Sequence, residues 1–319
     1  MSSERAPQHD PRHEPVMLHE VVDALAVRPG GRYVDATVGL GGHARAIIQA
    51  AQPGGRLFGI DRDPQALAIA TERLAPYGDA VVLARGEFAE VARICAERGF
   101  APVDGILIDA GVSSFQLDTP GRGFSFRRDE PLDMRMDPDG PVTAADIVNT
   151  SEESDLAAII FEYGEERRSR RIAREIVARR PLRTTSDLAR AVEAAVGRRG
   201  QDRIHPATLT FQALRIAVNN ELDQLESALE AAHTLLTPGG RLVVISFHSL
   251  EDRMVKQFIR EHKRDCICPP RQPICTCDHR ATLRDAAKGG RTASDDEVAR
   301  NPRARSARLR AAERTEEAA

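Results

Sequence analysis

Tryptophan is absent from these 319 residues; together with the abundance of alanine and arginine, this reflects composition bias and excludes no function. A strong charge of either sign is missing too. The formal net charge is −3, so no global field announces a nucleic-acid ligand, and any basic surface must be local. No apolar run reaches membrane-spanning length, which excludes a spanning helix, and the stretch from Met1 to Pro15 lacks the apolar core of a signal peptide. A soluble, cytoplasmic protein with no membrane partner is therefore expected. A chain of this length can bury a full doubly wound sheet and still carry a smaller second domain.

A glycine is missing at an informative place. The run Tyr33-Val34-Asp35-Ala36-Thr37-Val38-Gly39-Leu40-Gly41-Gly42-His43 reads as a buried strand feeding a glycine turn, and Ala44 to Ala51 continues with helical spacing. A dinucleotide fingerprint, G-x-G-x-x-G, would need glycine at 44, where this chain has Ala44. The looser pattern favours a methyltransferase over a nicotinamide enzyme, because S-adenosylmethionine has no pyrophosphate to seat on a helix N-terminus. Leu57 to Ile60 is a second strand with Asp61 at its carboxyl end, where a carboxylate can accept both hydrogen bonds of a ribose diol.

The pattern continues with a helix over residues 64–75, opened by Pro64, a third strand Val81 to Ala84, and a fourth, Val103 to Ile108, that ends at Asp109. Strands alternating with helices imply a parallel sheet. Asp109 falls at a strand's carboxyl end, where open α/β sheets do chemistry, and Gly111, Ser113 and Ser114 after it read as a flexible, hydrogen-bonding loop without an obvious helix start. From about residue 121 to 213 the pattern turns helical, with helices expected at Ala145 to Val148, Ser154 to Tyr163, Arg170 to Ala178 and Ser186 to Val196. The sheet pattern then returns with a helix from Asn219 to Leu236, the turn Thr237-Pro238-Gly239-Gly240 and a strand from Arg241 to Ser246. The expected organisation is a methyltransferase domain in two parts, 1–120 and 214–319, around an inserted helical substrate-recognition domain at 121–213. Residues 1–12 are expected to be disordered. The second part carries a cysteine-rich loop at 264–280, a polar loop or partly disordered stretch to Asp296, and a basic tail from Arg300 to Arg314 that folds back.

Three polar clusters compete for function. Ser246 to Arg253 packs many polar groups at a strand end, more than a helix cap requires. His205 to Gln212 has a similar density, and His205 suits a structural role as well as a substrate contact. Arg167, Arg168, Arg170, Arg171, Arg174, Arg179, Arg180 and Arg183 make a basic stripe that suits a phosphate backbone or a solvated face. Cys266, Cys268, Cys275 and Cys277 form two C-x-C pairs; four thiolates this close suit tetrahedral zinc, although C-x-x-C is the usual spacing, and reduced or disulfide-forming cysteines are the alternative. The H-x-E and P-C-x-x-C elements of a zinc deaminase are missing.

A family resemblance joins these motifs. His13 to Leu18, Gly41-Gly42-His43, Ile60 to Pro64, Asp109 to Ser114, Arg122 to Phe126, Leu132 to Asp137, Tyr163 to Arg167, Ser246 to Arg253 and Asn301 to Ser306 together closely resemble the MraW/RsmH family of bacterial 16S ribosomal RNA cytidine N4-methyltransferases. The resemblance implies a Rossmann-like class I α/β sheet and S-adenosylmethionine contacts at Gly41, Gly42, His43, Asp61, Phe88, Asp109 and Gln116. It also implies a substrate cytidine in the decoding region of the small ribosomal subunit. Asp109 is then an acceptor or cofactor anchor, Ser113, Ser114, His205 and His248 orient the base or relay its proton, and Phe124 or Phe126 either stacks on the base or plugs the seam between domains. The Asp109-Ala110-Gly111-Val112 run departs from the Asp/Asn/Ser-Pro-Pro-aromatic tetrad of many DNA amino-methyltransferases. A non-catalytic S-adenosylmethionine-binding RNA module would not need the polar loops at Asp109 and Ser246, and a small-molecule methyltransferase would not need the arginine-rich insertion. A homodimer is left open.

Overall fold

Short β-branched and aliphatic runs form the strands, and the helical spacing after each run forms the helix that covers it. The computed structural model describes residues 15–197, 205–269, 272, 274–277, 279–287 and 289–315; the disorder expected at 1–12 lies outside the described residues. In chain order come α1 (Leu18–Ala24), β1 (Arg32–Asp35), α2 (Gly42–Ala50), β2 (Arg56–Asp61), α3 (Pro64–Leu74), β3 (Val81–Arg85), α4 (Val91–Glu97), β4 (Val103–Asp109) and α5 (Ser114–Asp118). A helical stretch follows, α6 (Ala144–Thr150), α7 (Glu153–Gly164), α8 (Ser169–Ala178), α9 (Thr185–Val196) and α10 (Thr208–Asn219). The chain then makes α11 (Glu221–Leu235), β5 (Leu236–Ser246), α12 (Ser249–His262), β6 (Leu283–Asp285), β7 (Arg291–Thr292), α13 (Asp295–Arg300) and β8 (Arg308–Arg314).

The strands lie in the order β3-β2-β1-β4-β5-β8-β6, with β7 also on β8. The five strands from β3 to β5 are parallel, and β8 runs antiparallel to β5. Strand order reverses between β1 and β4, so their following loops diverge and leave a crevice at the carboxyl edge. Alternation along the central strands feeds two apolar layers. Val34, Ile106, Ile108 and Val244 pack on one face with α11 and α12, while Tyr33, Leu107, Val243 and Ile245 pack on the other with α1 and α2. A third cluster, including Met134, Leu156, Ile160, Ile176, Leu188 and Leu214, joins α7 to α10. The expected border at 213 falls inside α10, whose Phe211 and Leu214 both belong to this third cluster.

Three local expectations need correction. The stretch read as loop before Asp296 contributes β6, β7 and the start of α13, because Leu283 is buried against the sheet and β6 pairs with β8. The turn Thr237 to Gly240 lies within β5 as a register shift: Val103 faces Leu236, and Gly105 faces Arg241, with Gly239 at φ +80°. The helix expected from Asn219 starts at Glu221, since Asn220 takes a left-handed conformation (φ +52°) that separates α10 from α11. Among the described residues, no helix is long and apolar enough to cross a membrane.

Candidate active site

The carboxyl edge of the sheet opens into a cleft of about 510 Å³ lined by Gly42, Asp61, Phe88, Asp109 and Ser114, among others. Gly39 and Gly41 turn the chain out of β1 with φ of +49° and +78°, conformations that cost a side-chain-bearing residue about 1 kcal/mol or more. Asp61 closes this turn, accepting the Gly39 N–H at 2.8 Å and the Asp63 N–H at 2.9 Å. Burial pushes its carboxyl up to about 6, with those two N–H groups pulling the other way. Behind it, the fully buried Asp63 caps α3 and accepts from Gln116 Nε2 (3.1 Å) and Arg122 Nη2 (3.0 Å). Arg122 also donates to the carbonyls of Arg135 and Met136, which ties the start of the helical stretch to the cleft floor.

Asp109 is the least satisfied acid of the cleft. Its backbone N–H donates to Thr37 Oγ1 at 2.7 Å, Oδ2 lies 3.5 Å from His43 Nδ1, and the buried Oδ1 has no hydrogen-bond partner among the described residues. A quarter of the side chain faces the cleft, yet protein encloses the rest. Burial first, then the charges of Asp35 and Glu251, hold this carboxyl well above the usual range. His43 Nε2 lies 2.9 Å from the Val16 carbonyl, so that nitrogen carries hydrogen and a neutral ring turns its Nδ1 lone pair toward Asp109. The two acceptors therefore need one proton between them. Asp35, just behind, is pushed up to about 7 by burial, against the Thr37 N–H and with the charge of Asp61.

The far wall is a second charged assembly. His248 is the N-cap of α12, and the Glu251 carboxylate accepts the Phe247 N–H at 2.7 Å and the His248 N–H at 3.2 Å. His248 Nε2 sits 3.1 Å from Glu251 Oε1, an ion-pair distance without hydrogen-bond alignment. Burial alone would raise Glu251, but His248, Arg215 and the Phe247 N–H together hold it low. Arg215 makes two 2.7 Å hydrogen bonds to Glu221. Glu221, His248 and Glu251 also bring metal-ligand-type atoms together; the Arg215 guanidinium already balances the carboxylate charge there.

The cleft gathers Gly42, His43, Asp61, Phe88, Asp109, Ser113, Ser114, Gln116 and His248. Four expectations differ. Gly41 shapes the turn without lining the cleft, because a side chain there would meet Leu74 and Ala70 of α3. The loop after Asp109 does start a helix: Ser113 caps α5 in a capping box with Gln116, whose amide is engaged by Ser113 N–H and Asp63. His205 is outside the cleft, held by Glu193 at 2.9 Å and stacked on Phe126, while Phe126 also packs edge-on against Phe211 and Phe124 is buried among the helices. The arginine stripe divides. Arg168, Arg174 and Arg179 turn to Glu166, Glu153 and Glu175, and Arg180 caps the end of α6 through the Val148 and Ser151 carbonyls. Arg167, Arg170 and Arg171 remain exposed. The four cysteine sulfurs gather together and line none of this cleft.

Sequence reasoning gave no role to Thr37, Glu221 or the C-terminal Arg303, Arg305 and Ser306, all of which line the cleft. Arg303 arrives by pairing with Asp118 of α5 at 2.6 Å, and Met17 N–H donating to Glu297 draws α13 toward the start of α1. No local pattern signals these contacts, because each spans more than 180 residues.

The sheet order β3-β2-β1-β4-β5-β8-β6 with β8 antiparallel between β5 and β6, together with the glycine turn after the first strand and the acid after the second, is the class I methyltransferase fold. The chain belongs to the MraW methylase family, whose model matches residues 10–315. It is similar to the ribosomal RNA small subunit methyltransferase H of Dehalococcoides mccartyi, 55% identical over 302 residues, which cover 95% of this chain and 86% of that protein. The protein of the same name from Syntrophotalea carbinolica is 55% identical over 307 residues, covering 95% and 98%. Among solved structures, an rRNA methylase from Streptococcus thermophilus aligns with a TM-score of 0.44 at 11% identity, over 94% of this chain and 96% of that one.

Proposed function

We propose that this protein transfers a methyl group from S-adenosylmethionine to the exocyclic N4 of a cytidine in the decoding region of 16S ribosomal RNA, acting in the cytoplasm on the small ribosomal subunit. Family membership and the names of the curated relatives support the ribosomal RNA substrate. The donor set suits the cofactor: the Asp61 carboxylate suits a ribose diol, Phe88 and Val38 offer apolar surface for an adenine, and Asp61, Asp109 and Glu251 suit a sulfonium cation. When bound, S-adenosylmethionine supplies an electrophilic methyl.

The observation that carries the reading is the under-bonded carboxyl of Asp109 at the end of β4, in one cleft with Asp61. An exocyclic cytosine amine is a weak nucleophile because its lone pair is delocalised into the ring. A carboxylate accepting one of its N–H bonds localises that pair, and an acid raised by burial and neighbouring charge accepts a proton more readily. In this reading Asp109 holds the amine, and His43 shares the proton that would otherwise keep Asp109 neutral. In the same reading Ser114, His248 and the arginines at 303 and 305, which line the cleft, orient the base and its phosphates. Methyl transfer from labelled cofactor to unmethylated small subunits, followed by nucleoside analysis, tests this. Labelled N4-methylcytidine that disappears with Asp109→Ala is expected; RNA without label, with cofactor binding intact, would overturn the substrate.

A further inference from the structure

Among the described residues of the segment between α12 and β6, none joins an apolar core cluster. Thr282 N–H donates to the His262 carbonyl at 2.8 Å and closes the segment's base, while Ile267 and Ile274 stand 50% and 76% exposed at its tip. Hydrophobic burial therefore contributes little to holding these residues in place. Four sulfurs occupy the segment's centre. Cys266 and Cys275 Sγ are 3.5 Å apart, Cys275 and Cys277 3.6 Å, Cys266 and Cys277 3.8 Å, and Cys268 and Cys275 3.9 Å. A tetrahedral zinc with Zn–S bonds of about 2.3 Å needs sulfur–sulfur edges of about 3.8 Å. The sulfurs of Cys266, Cys275 and Cys277 form a triangle, that of Cys268 stands 3.9 Å from Cys275, and all four lie within 4.8 Å of one another; these separations suit a tetrahedral ion, whereas two disulfides would draw the sulfurs into pairs about 2 Å apart.

The backbone supplies an independent sign. The N–H of Ile267, between the first two cysteines, donates to Cys277 Sγ at 3.4 Å, and the N–H of Thr276, between the last two, donates to Cys268 Sγ at 3.5 Å. The two C-x-C turns thus each aim an amide at a sulfur of the other, the arrangement that stabilises charge on metal-bound thiolates. We propose that Cys266, Cys268, Cys275 and Cys277 bind one Zn²⁺ in a closed tetrathiolate site that staples the segment between α12 and β6. Binding releases the four thiol protons to water. With every position filled by sulfur, the ion has no place for substrate, so its role is structural and separate from the cleft.

The test is the metal content of the full chain, purified under reducing conditions without chelator. One zinc per chain is expected, replaceable by Co²⁺ with the strong visible absorption of a tetrahedral thiolate complex and lost in Cys275→Ser with the circular dichroism of the sheet retained. A wild-type chain that carries no zinc and gives no such cobalt spectrum overturns the proposal, as does finding these cysteines as disulfides in the freshly isolated protein. Since wild-type metal content and the cobalt spectrum decide the matter, a poorly folding variant would not leave it open.

Discussion

Charge is handled in opposite ways in the cleft and on the arginine-rich helix α8. At the cleft, Asp61 and Asp109, with the buried Asp35 just behind, converge from the ends of three neighbouring strands, and burial raises all three carboxyls. On and around α8, Arg168, Arg174 and Arg179 find carboxylates close by in sequence or on the adjoining helix, and Arg170 and Arg171 stay in solvent. Converging, under-satisfied groups cost stability and are kept only where surrounding structure enforces them, whereas paired surface ions contribute about 0–1 kcal/mol each. Number of charges is therefore a poor guide to chemistry, and their mutual geometry a good one.

The sharpest test of that contrast is Asp109→Asn, which keeps shape and removes the acceptor charge. Its kcat for methyl transfer at saturating cofactor is expected to fall by about 10²–10⁴-fold, with a smaller loss of cofactor affinity by calorimetry; a full-speed variant would move the chemistry elsewhere. Asp61→Ala comes next. Losing hydrogen bonds to a charged group, worth about 1.5–3 kcal/mol, should weaken cofactor binding by about 10–100-fold, read in the same titration. The double change Arg170→Ala and Arg171→Ala should leave kcat intact, raise the KM for subunits a few-fold and lower the steepness of the salt dependence by about 1 to 2. A loss of kcat there would place the two regions on an equal footing.

The smallest effect is on stability against pH. The folded chain keeps a proton on Asp35 up to about pH 7, while the unfolded chain releases it near pH 4. The native state thus binds more protons between those limits, and stability falls as pH rises through that window. Asp35→Asn should flatten this slope in thermal melts of ligand-free protein from pH 5 to 8; parallel curves for the two proteins would show that Asp35 is not the group responsible.

Legibility followed sequence distance. Glycine at 39, 41 and 42, the apolar run before Asp61 and the run before Asp109 were readable because strand, turn and acid are contiguous, and parallel strands bring their carboxyl ends to one edge. The helices of residues 144–196 were readable from their period, while the capping boxes at Thr143 and Thr184 emerged only in the structure. His205 was misleading because a polar cluster in sequence says nothing of direction, and Glu193 with Phe126 draws its ring away from the cleft. Strands as short as β6 and β7 were missed because two or three residues carry no period.

By itself the sequence determined the alternation of strands and helices, the glycine turn and which acids stand at strand ends, since these depend on local backbone preference and burial period. Only the tertiary structure decided that Asp109 faces His43, that Arg215 locks onto Glu221, that Pro302 to Ser306 return to the cleft and that four cysteine sulfurs gather within 4.8 Å of one another. Those arrangements depend on where separate segments meet once the sheet has closed its two apolar layers, and no local preference encodes that meeting.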